Sequence, residues 1–184
     1  ALHYNKTAQL NPNKQILIYG ASGSVGTYAV QLANLSGAKV TAVCSASNLN
    51  MVKQLGADIC LDYTAPDFKQ QLQQYDVVFL AVDQMDFELA NSILKPGGMY
   101  INVTLPFLSG AMKKAAKKEN KKMVSGKDPS TKISDLEEIT QLVEQGKLIS
   151  VIDRTYSLDE IVEAHRYLDT GRKKGNVAIT VNSN

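Results

Sequence analysis

"IYGASGSVG", residues 18–26, lies between an apolar run and a stretch with helical spacing, and its reading decides the fold. Gly20, Gly23 and Gly26 recur at intervals of three, directly after a predicted strand, Gln15–Gly20, and directly before a predicted helix. A chain that turns here with so little side chain either makes a tight loop or brings its backbone against a phosphate. A glycine turn between strand and helix occurs in many nucleotide-free folds, so the surrounding sequence must choose.

Outward from this turn, strands and helices alternate. "QILIYG" is a short apolar run of the kind buried on both faces of a sheet. In the following helix Val25, Tyr28, Ala29, Leu32 and Ala33 share a face, and Gly37 ends it. Lys39–Cys44 is a second strand, and Asn48 is placed to cap a helix through Leu55. "ICLDY" and "YDVVFLAV" give a third and fourth strand, separated by the short helix "DFKQQLQQ". "MDFELANSILKPGG" reads as a helix stopped by Pro96 and Gly97-Gly98, and Met99–Thr104 as a fifth strand. Five β–α units predict an α/β fold: a doubly wound parallel sheet with helices on both faces.

After Thr104 the rhythm weakens. Residues 113–122 hold six lysines with no arginine and no interleaved aromatic, so the run reads as a solvated helix or loop and not as a nucleic-acid surface. "SGKDPST" follows as a turn-rich connector. Two capping boxes, Ser134 with Glu137 and Ser157 with Glu160, predict closing helices with apolar stripes. One stripe runs through Leu136, Ile139, Leu142 and Val143. The other runs through Leu158, Ile161, Val162, His165 and Leu168, with His165 as a packed histidine. Asn176–Val181 is a last strand.

Composition narrows the class. A chain of 184 residues buries about 70% of its extended surface, enough for a real core. A net charge of +2 is too balanced to point to nucleic acid or to an anionic membrane. No apolar run nears the roughly 20 residues of a membrane span, and residues 1–10 do not have a signal peptide's pattern. Cys44 and Cys60 have no metal-type spacing and read as reduced thiols in a cytoplasmic protein.

In this setting the glycine turn favours a phosphate. Small residues admit a pyrophosphate to the backbone, Gly26 lets helix and strand pack closely, and the helix start around Ser24 and Val25 favours an anion. The strict dinucleotide pattern has a glycine where Ala21 stands. No Asp or Glu lies between Gly26 and Lys53, where an NAD site carries a carboxylate for the ribose hydroxyls. Its absence leaves room for a 2′-phosphate, with Ser45, Ser47 and Asn48 as hydrogen-bonding partners.

"ILIYGASGSVGTYAVQLA", "GAKVTAVCSASNLNMVKQLGAD", "LDYT", "LKPGGMYINV" and "YSLDEIVEAHRYLDTGRKKG" stand in this order across nearly the whole chain. In this the sequence resembles the medium-chain dehydrogenase/reductase superfamily, and within it the zinc-independent, quinone oxidoreductase-like branch. The resemblance implies NADPH as cofactor, in preference to NAD, and hydride transfer to a quinone, enone or related carbonyl. It places the pyrophosphate at Gly20 and at Ser22, Gly23, Ser24, Val25 and Gly26. It sets Ser45, Ser47, Asn48 and Tyr63 at the adenosine end. Ala81 and Val82 fall near the nicotinamide ribose, and Val103 and Thr104 beside the nicotinamide.

Two departures qualify the resemblance. Relatives with a CS-x-R-N pattern carry arginine where Ser47 stands, and serine cannot replace that planar charge; Lys53 and Arg172 are candidates to compensate. The superfamily also begins with a barrel-like domain that supplies most of the substrate pocket and any zinc ligands. Here "ALHYNKTAQLNPNKQ" reads as the helix leading into the cofactor domain. Residues 1–150 are therefore expected to be a cofactor-binding domain, and 151–184 a tail that packs on the barrel-like domain. No zinc site is expected in this chain. No residue in it is an obvious general acid or base, so the catalytic residues stay open, and its isolated form is expected to be inactive. A homodimer through an edge strand is implied, although the lysines of "KKMVSGK" oppose it. Three functions stay open: oxidoreductase, catalytically silent dinucleotide-binding module and, as a distant third, nucleic-acid binding through the lysine run.

Overall fold

The computed structural model describes residues 1–105, 108–125 and 132–181. Helix α1 (Leu2–Ala8) leads into β1 (Gln15–Tyr19), α2 (Ser24–Leu35), β2 (Lys39–Cys44), α3 (Leu49–Gln54), β3 (Ile59–Asp62) and α4 (Phe68–Gln71). Then come β4 (Tyr75–Leu80), α5 (Phe87–Ser92), β5 (Leu94–Asn102), α6 (Gly110–Lys118) and β6 (Lys122–Ser125). The chain closes with α7 (Ile133–Glu144), β7 (Ile152–Ser157), α8 (Ile161–Asp169) and β8 (Asn176–Thr180).

Six strands form one parallel sheet in the order β3-β2-β1-β4-β5-β6, the doubly wound arrangement expected from the sequence. Strand β1 lies in the middle, and its successive side chains enter two different cores. Ile16 and Ile18 join Val30, Val40 and Val52 on one face, whereas Leu17 and Tyr19 join Val43, Val78 and Tyr100 on the other. Each such side chain contributes about 1.5–3 kcal/mol on burial, which is why these strands read as unbroken apolar runs. The order of connection reverses between β1 and β4, and the carboxyl ends of the strands open there.

The turn after β1 is fixed by sterics. Gly20 has φ of +78°, and a Cβ on it would lie 2.8 Å from Val82. A Cβ on Gly26 would lie 2.1 Å from the carbonyl oxygen of Gly20 and 2.7 Å from Ala21 Cα. Helix α2 thus sits directly on the end of β1. The turn itself hangs from β2, because the N–H groups of Gly20 and Ala21 both donate to the Val43 carbonyl at 3.0 Å.

Several expectations need correction. Helix α5 ends at Ser92, and "LKPGG" belongs to β5, where Leu94 pairs with Tyr75 before a register shift admits the two glycines. Helix α4 is only four residues long. The lysine run forms α6 and then enters a sixth strand, β6, that its composition conceals. Strand β7 was also hidden, its polar residues giving no apolar run. Helix α7 starts two residues earlier than the Ser134 box requires: Lys132 is at the cap, and its N–H donates to Asp135 at 3.2 Å. At the other box the Glu160 carboxylate does accept the Ser157 N–H at 2.9 Å. Helix α2 is buried nearly all round, with Val25 the exposed member of its predicted stripe. The connector from Gly126 to Thr131 falls outside the described residues.

The last two helices were expected to bury their stripes. Instead Leu136 is 59% exposed, Val162 is 56% exposed, and His165 faces solvent. Of the α7 stripe, Ile139 and Leu142 pack against Leu2, Leu32 and Leu148, while α8 lies against β7, which with β8 forms a parallel pair separate from the main sheet. Two strands alone provide a marginal packing surface.

Gly26→Ala is expected to cost about 3 kcal/mol or more, because backbone atoms cannot give way to the new methyl. Gly110→Ala, at an open position on α6, is expected to be neutral or slightly stabilising. Thermal unfolding of both variants checks this, and a Gly26→Ala melting temperature equal to wild type refutes it.

Candidate functional site

A cleft of about 570 Å³ opens above the carboxyl ends of β1, β2 and β4. Its floor is the glycine turn, Gly20, Ser22 and Gly23. One wall is Ser45, Ser47 and Asn48, with Tyr63 beside them; Val82 closes the β4 side. These eight predicted positions are brought together. Ser24, Val25, Gly26, Ala81, Val103 and Thr104 do not line the cleft. Ser24, Val25 and Gly26 form the start of α2 behind the floor. Thr104 instead caps the end of β5, its N–H and hydroxyl donating to Asn102 Oδ1 at 3.0 and 2.7 Å.

The start of α2 presents unsatisfied donors. Its cap residue, Gly23, has no side chain to accept from the first turn, and the turn holds no acidic residue. Gly23 has φ of −82°, and a Cβ there would meet only the Gly20 carbonyl oxygen, at an ordinary 3.5 Å. The protein's own packing therefore has no need of glycine at this position.

The second wall behaves differently from expectation. Asn48 stands at the cap of α3, but its side chain makes no capping bond. Its Nδ2 donates to Ser45 Oγ at 3.2 Å, and its buried Oδ1 has no hydrogen-bond partner. Ser45 and Ser47 hydroxyls lie 3.4 Å apart. Tyr63, 42% exposed, stands as an aromatic lip whose ring centre is 6.1 Å from that of Tyr19. Cys44 also touches the cleft, but burial pushes its thiol up to about 12, which keeps it protonated and unreactive.

The third wall comes from the tail. Arg172, Lys173 and Lys174 line the cleft. Of the two cations considered from sequence, Arg172 is present and Lys53 is not: Lys53 Nζ is 2.9 Å from the Asp58 carbonyl oxygen, on the outer side of α3. Lys173 and Lys174 were not singled out, because no spacing rule shows that the tail returns to the glycine turn. It returns by main-chain bonding: Gly175 N–H donates to Ser22 O at 2.8 Å, and Ser24 Oγ donates to Gly175 O at 2.8 Å. Lys173 Nζ reaches Ser24 Oγ at 2.5 Å and Gly175 O at 2.8 Å. No carboxylate pairs with it among the described salt bridges, and burial pulls its ammonium below the usual lysine value.

Two contacts hold the tail in this position. Gln31, buried in α2, donates to Ile149 O at 3.0 Å and accepts from Ile149 N–H at 2.8 Å, like a short piece of ladder. Asp153 accepts from the Lys174 N–H at 2.9 Å and from the Tyr167 hydroxyl. Burial alone raises the Asp153 carboxyl, but these hydrogen bonds and the nearby Arg154 outweigh it, and the net shift is downward.

A glycine turn at the switch point of a doubly wound parallel sheet defines a Rossmann-type α/β domain. Residues 55–179 match the zinc-binding dehydrogenase family, and the chain belongs to it, within the medium-chain dehydrogenase/reductase superfamily. The NAD(P)H oxidoreductase RTN4IP1, mitochondrial, of Danio rerio is 31% identical over 192 residues, covering 91% of this chain and 49% of that protein. Quinone-oxidoreductase QR1, chloroplastic, of Triphysaria versicolor is 34% identical over 91% of this chain and 53% of its own length. The structure of the quinone oxidoreductase from Coxiella burnetii superposes with a TM-score of 0.88 at 28% identity, covering 98% of this chain and 57% of that one. The chain thus spans about half the length of these relatives. The family's description names zinc, yet among the described residues no three His, Cys, Asp or Glu side chains come together as a metal requires. Nor is any helix among them long and apolar enough to cross a membrane.

Asp153 sets a pH dependence for the tail. Its depressed carboxyl stabilises the folded tail above the ordinary value of 3.8, and that stabilisation is lost as pH falls through the lower folded value. Asp153→Asn is expected to remove this acid-dependent step. Amide exchange at Lys174, followed through acid titration of both proteins, measures it; an unchanged profile in the variant refutes the assignment.

Proposed function

We propose that this chain is the cofactor-binding domain of an NADPH-dependent oxidoreductase acting on a quinone, enone or related carbonyl. The observation that carries this reading is Gly23. Its missing side chain serves no contact within the protein, and it stands where uncapped N–H groups and an unpaired lysine converge. A diphosphate laid there would accept from the start of α2 and take Lys173 as its counter-charge. Ser45, Ser47 and Asn48, with Arg172 facing the same cleft, would receive the adenosine end and its 2′-phosphate. Tyr63 would flank it. With no carboxylate on β2's end to repel that phosphate, NADP is favoured over NAD.

The bound dinucleotide supplies the hydride. What this chain contributes is orientation: the turn fixes the diphosphate, and Val82 and the end of β4 limit how deep the far half can lie. Among the described residues no side chain is placed as a general acid or base and no ligand set for zinc is present, so no step is assigned to a metal. Residues 151–181 are the tail, which in this reading forms part of the cofactor wall as well as a surface for the remainder of the enzyme. The open faces of α7 and α8 favour a subsidiary reading: alone, the chain holds the dinucleotide without turning it over.

Titration calorimetry with NADPH and, separately, NADH tests the proposal. NADPH is expected to bind more tightly. Gly23→Ala is expected to weaken both ligands by about tenfold with an unchanged melting temperature, since the new methyl has room in the protein but not beneath a phosphate. Lys173→Met is expected to weaken both alike, because the diphosphate is common to them. If wild type binds neither ligand, the cofactor reading fails; equal binding of the two refutes only the preference for NADP.

A further inference from the structure

Helix α6 carries the most one-sided charge on the molecule. Its inner face is already used: Ala116 is buried, and Met112 packs against the core that contains Leu108. Its outer face presents Lys113, Lys114, Lys117 and Lys118, all exposed, and Lys122 follows at the start of β6. Between Leu94 and Lys127 the sequence holds a single carboxylate, Glu119. That carboxylate is engaged by Lys121 at 2.5 Å, with the Lys121 ammonium also donating to the Asn91 carbonyl at 2.7 Å. The other five lysines take part in none of the described salt bridges.

The balanced net charge conceals this. Six lysines and one glutamate give residues 113–122 a charge of +5, while the whole chain carries +2, so everything outside sums to −3. Such a molecule has a large charge asymmetry, and an extended anionic surface would orient it with α6 foremost. The chemistry of the array says what sort of surface. Lysine acts as a mobile point charge, whereas arginine's fork is what reads individual phosphates in fixed geometry. An array with lysine only, and with no aromatic for bases to stack on, suits a fluid, diffuse distribution of charge.

We propose that the lysine face of α6 and Lys122 is a docking surface for an anionic lipid bilayer, held by charge alone with no apolar insertion. The helix remains packed on the sheet throughout, since Met112 and Ala116 stay in the core. Each lysine near such a surface contributes roughly a fivefold gain in affinity. This inference does not depend on the cofactor reading.

Flotation of the chain with phosphatidylcholine vesicles holding about 30% phosphatidylserine, beside pure phosphatidylcholine vesicles, tests it. Binding is expected to the anionic vesicles only, and to be lost between about 0.1 M and 1 M salt, as the screening length falls from about 10 to 3 Å. A variant with Lys113, Lys114, Lys117 and Lys118 all changed to Gln is expected to bind at least about 100-fold more weakly, with its melting temperature unchanged. A second variant with Lys39, Lys53, Lys69 and Lys147 changed to Gln removes the same charge elsewhere and is expected to retain most of the binding. The proposal is overturned by no binding to anionic vesicles, by equal binding to neutral ones, or by equal losses in the two variants. Tighter binding to a single-stranded RNA than to the vesicles would also overturn it and assign the face to nucleic acid.

Discussion

The contact between Gly26 and the Gly20 carbonyl is the constraint on which the rest depends. Because no side chain stands between them, helix α2 begins directly on the end of the central strand. That single approach directs the first turn of the helix into the cleft. It buries Ala21 beneath the turn, and brings Gln31 to the position where it holds Ile149. A larger residue at Gly26 would lift the helix, and both the donor array and the anchor for the tail would move with it. Packing and site are therefore the same geometric fact seen from two sides.

The glycines of the turn are not equivalent. Gly20 is required by its positive φ and by Val82, and Gly26 by backbone atoms, so both are explained without a ligand. Gly23 alone has room for a side chain. A three-glycine pattern in sequence looks like one signal, but the structure separates it into two architectural residues and one that the protein's own packing does not require.

Five of the six sheet strands were legible because buried parallel strands demand continuous apolar runs, and β1, β2 and β4 each supply one. The glycine turn with Ser45, Ser47 and Asn48 could be placed in one cleft from their positions at strand ends, and Tyr63 and Val82 from the family resemblance. Elements lacking that compulsion were missed. Strand β6 lies at the sheet edge with lysine at its start, β7 is mostly polar, and the glycines within β5 mimic a helix stop. The apolar stripes of α7 and α8 were legible as helices but only partly right as burial, with Ile139 and Leu142 packed and Leu136 and Val162 exposed, since periodicity shows which face is apolar and not whether anything covers it. Lys173 was invisible for another reason: its role comes from a return of the chain across about 150 residues, fixed by main-chain bonds at Gly175 that any residue type can make.

That return changes how the positive charge of the cleft is held. An arginine at the position of Ser47 would be carried by the rigid end of β2. Here the cations sit instead on a segment joined to α2 and the glycine turn by Gln31 and by the Gly175 bonds, and braced within itself by the Asp153 contacts. A ligand phosphate that engaged Lys173 would add one more tie between the tail and α2, and in doing so would favour the seated tail. By linkage, whatever stabilises the seated tail strengthens the ligand to the same degree. The unpaired state of Lys173 has the same origin. Asp153 attracts it from within the tail without forming a salt bridge, whereas a carboxylate in contact with it beside Ser24 would stand at the start of α2 and compete for the donors there. The cost of leaving an ammonium half-buried beside a hydroxyl is thus tied to keeping that helix start free.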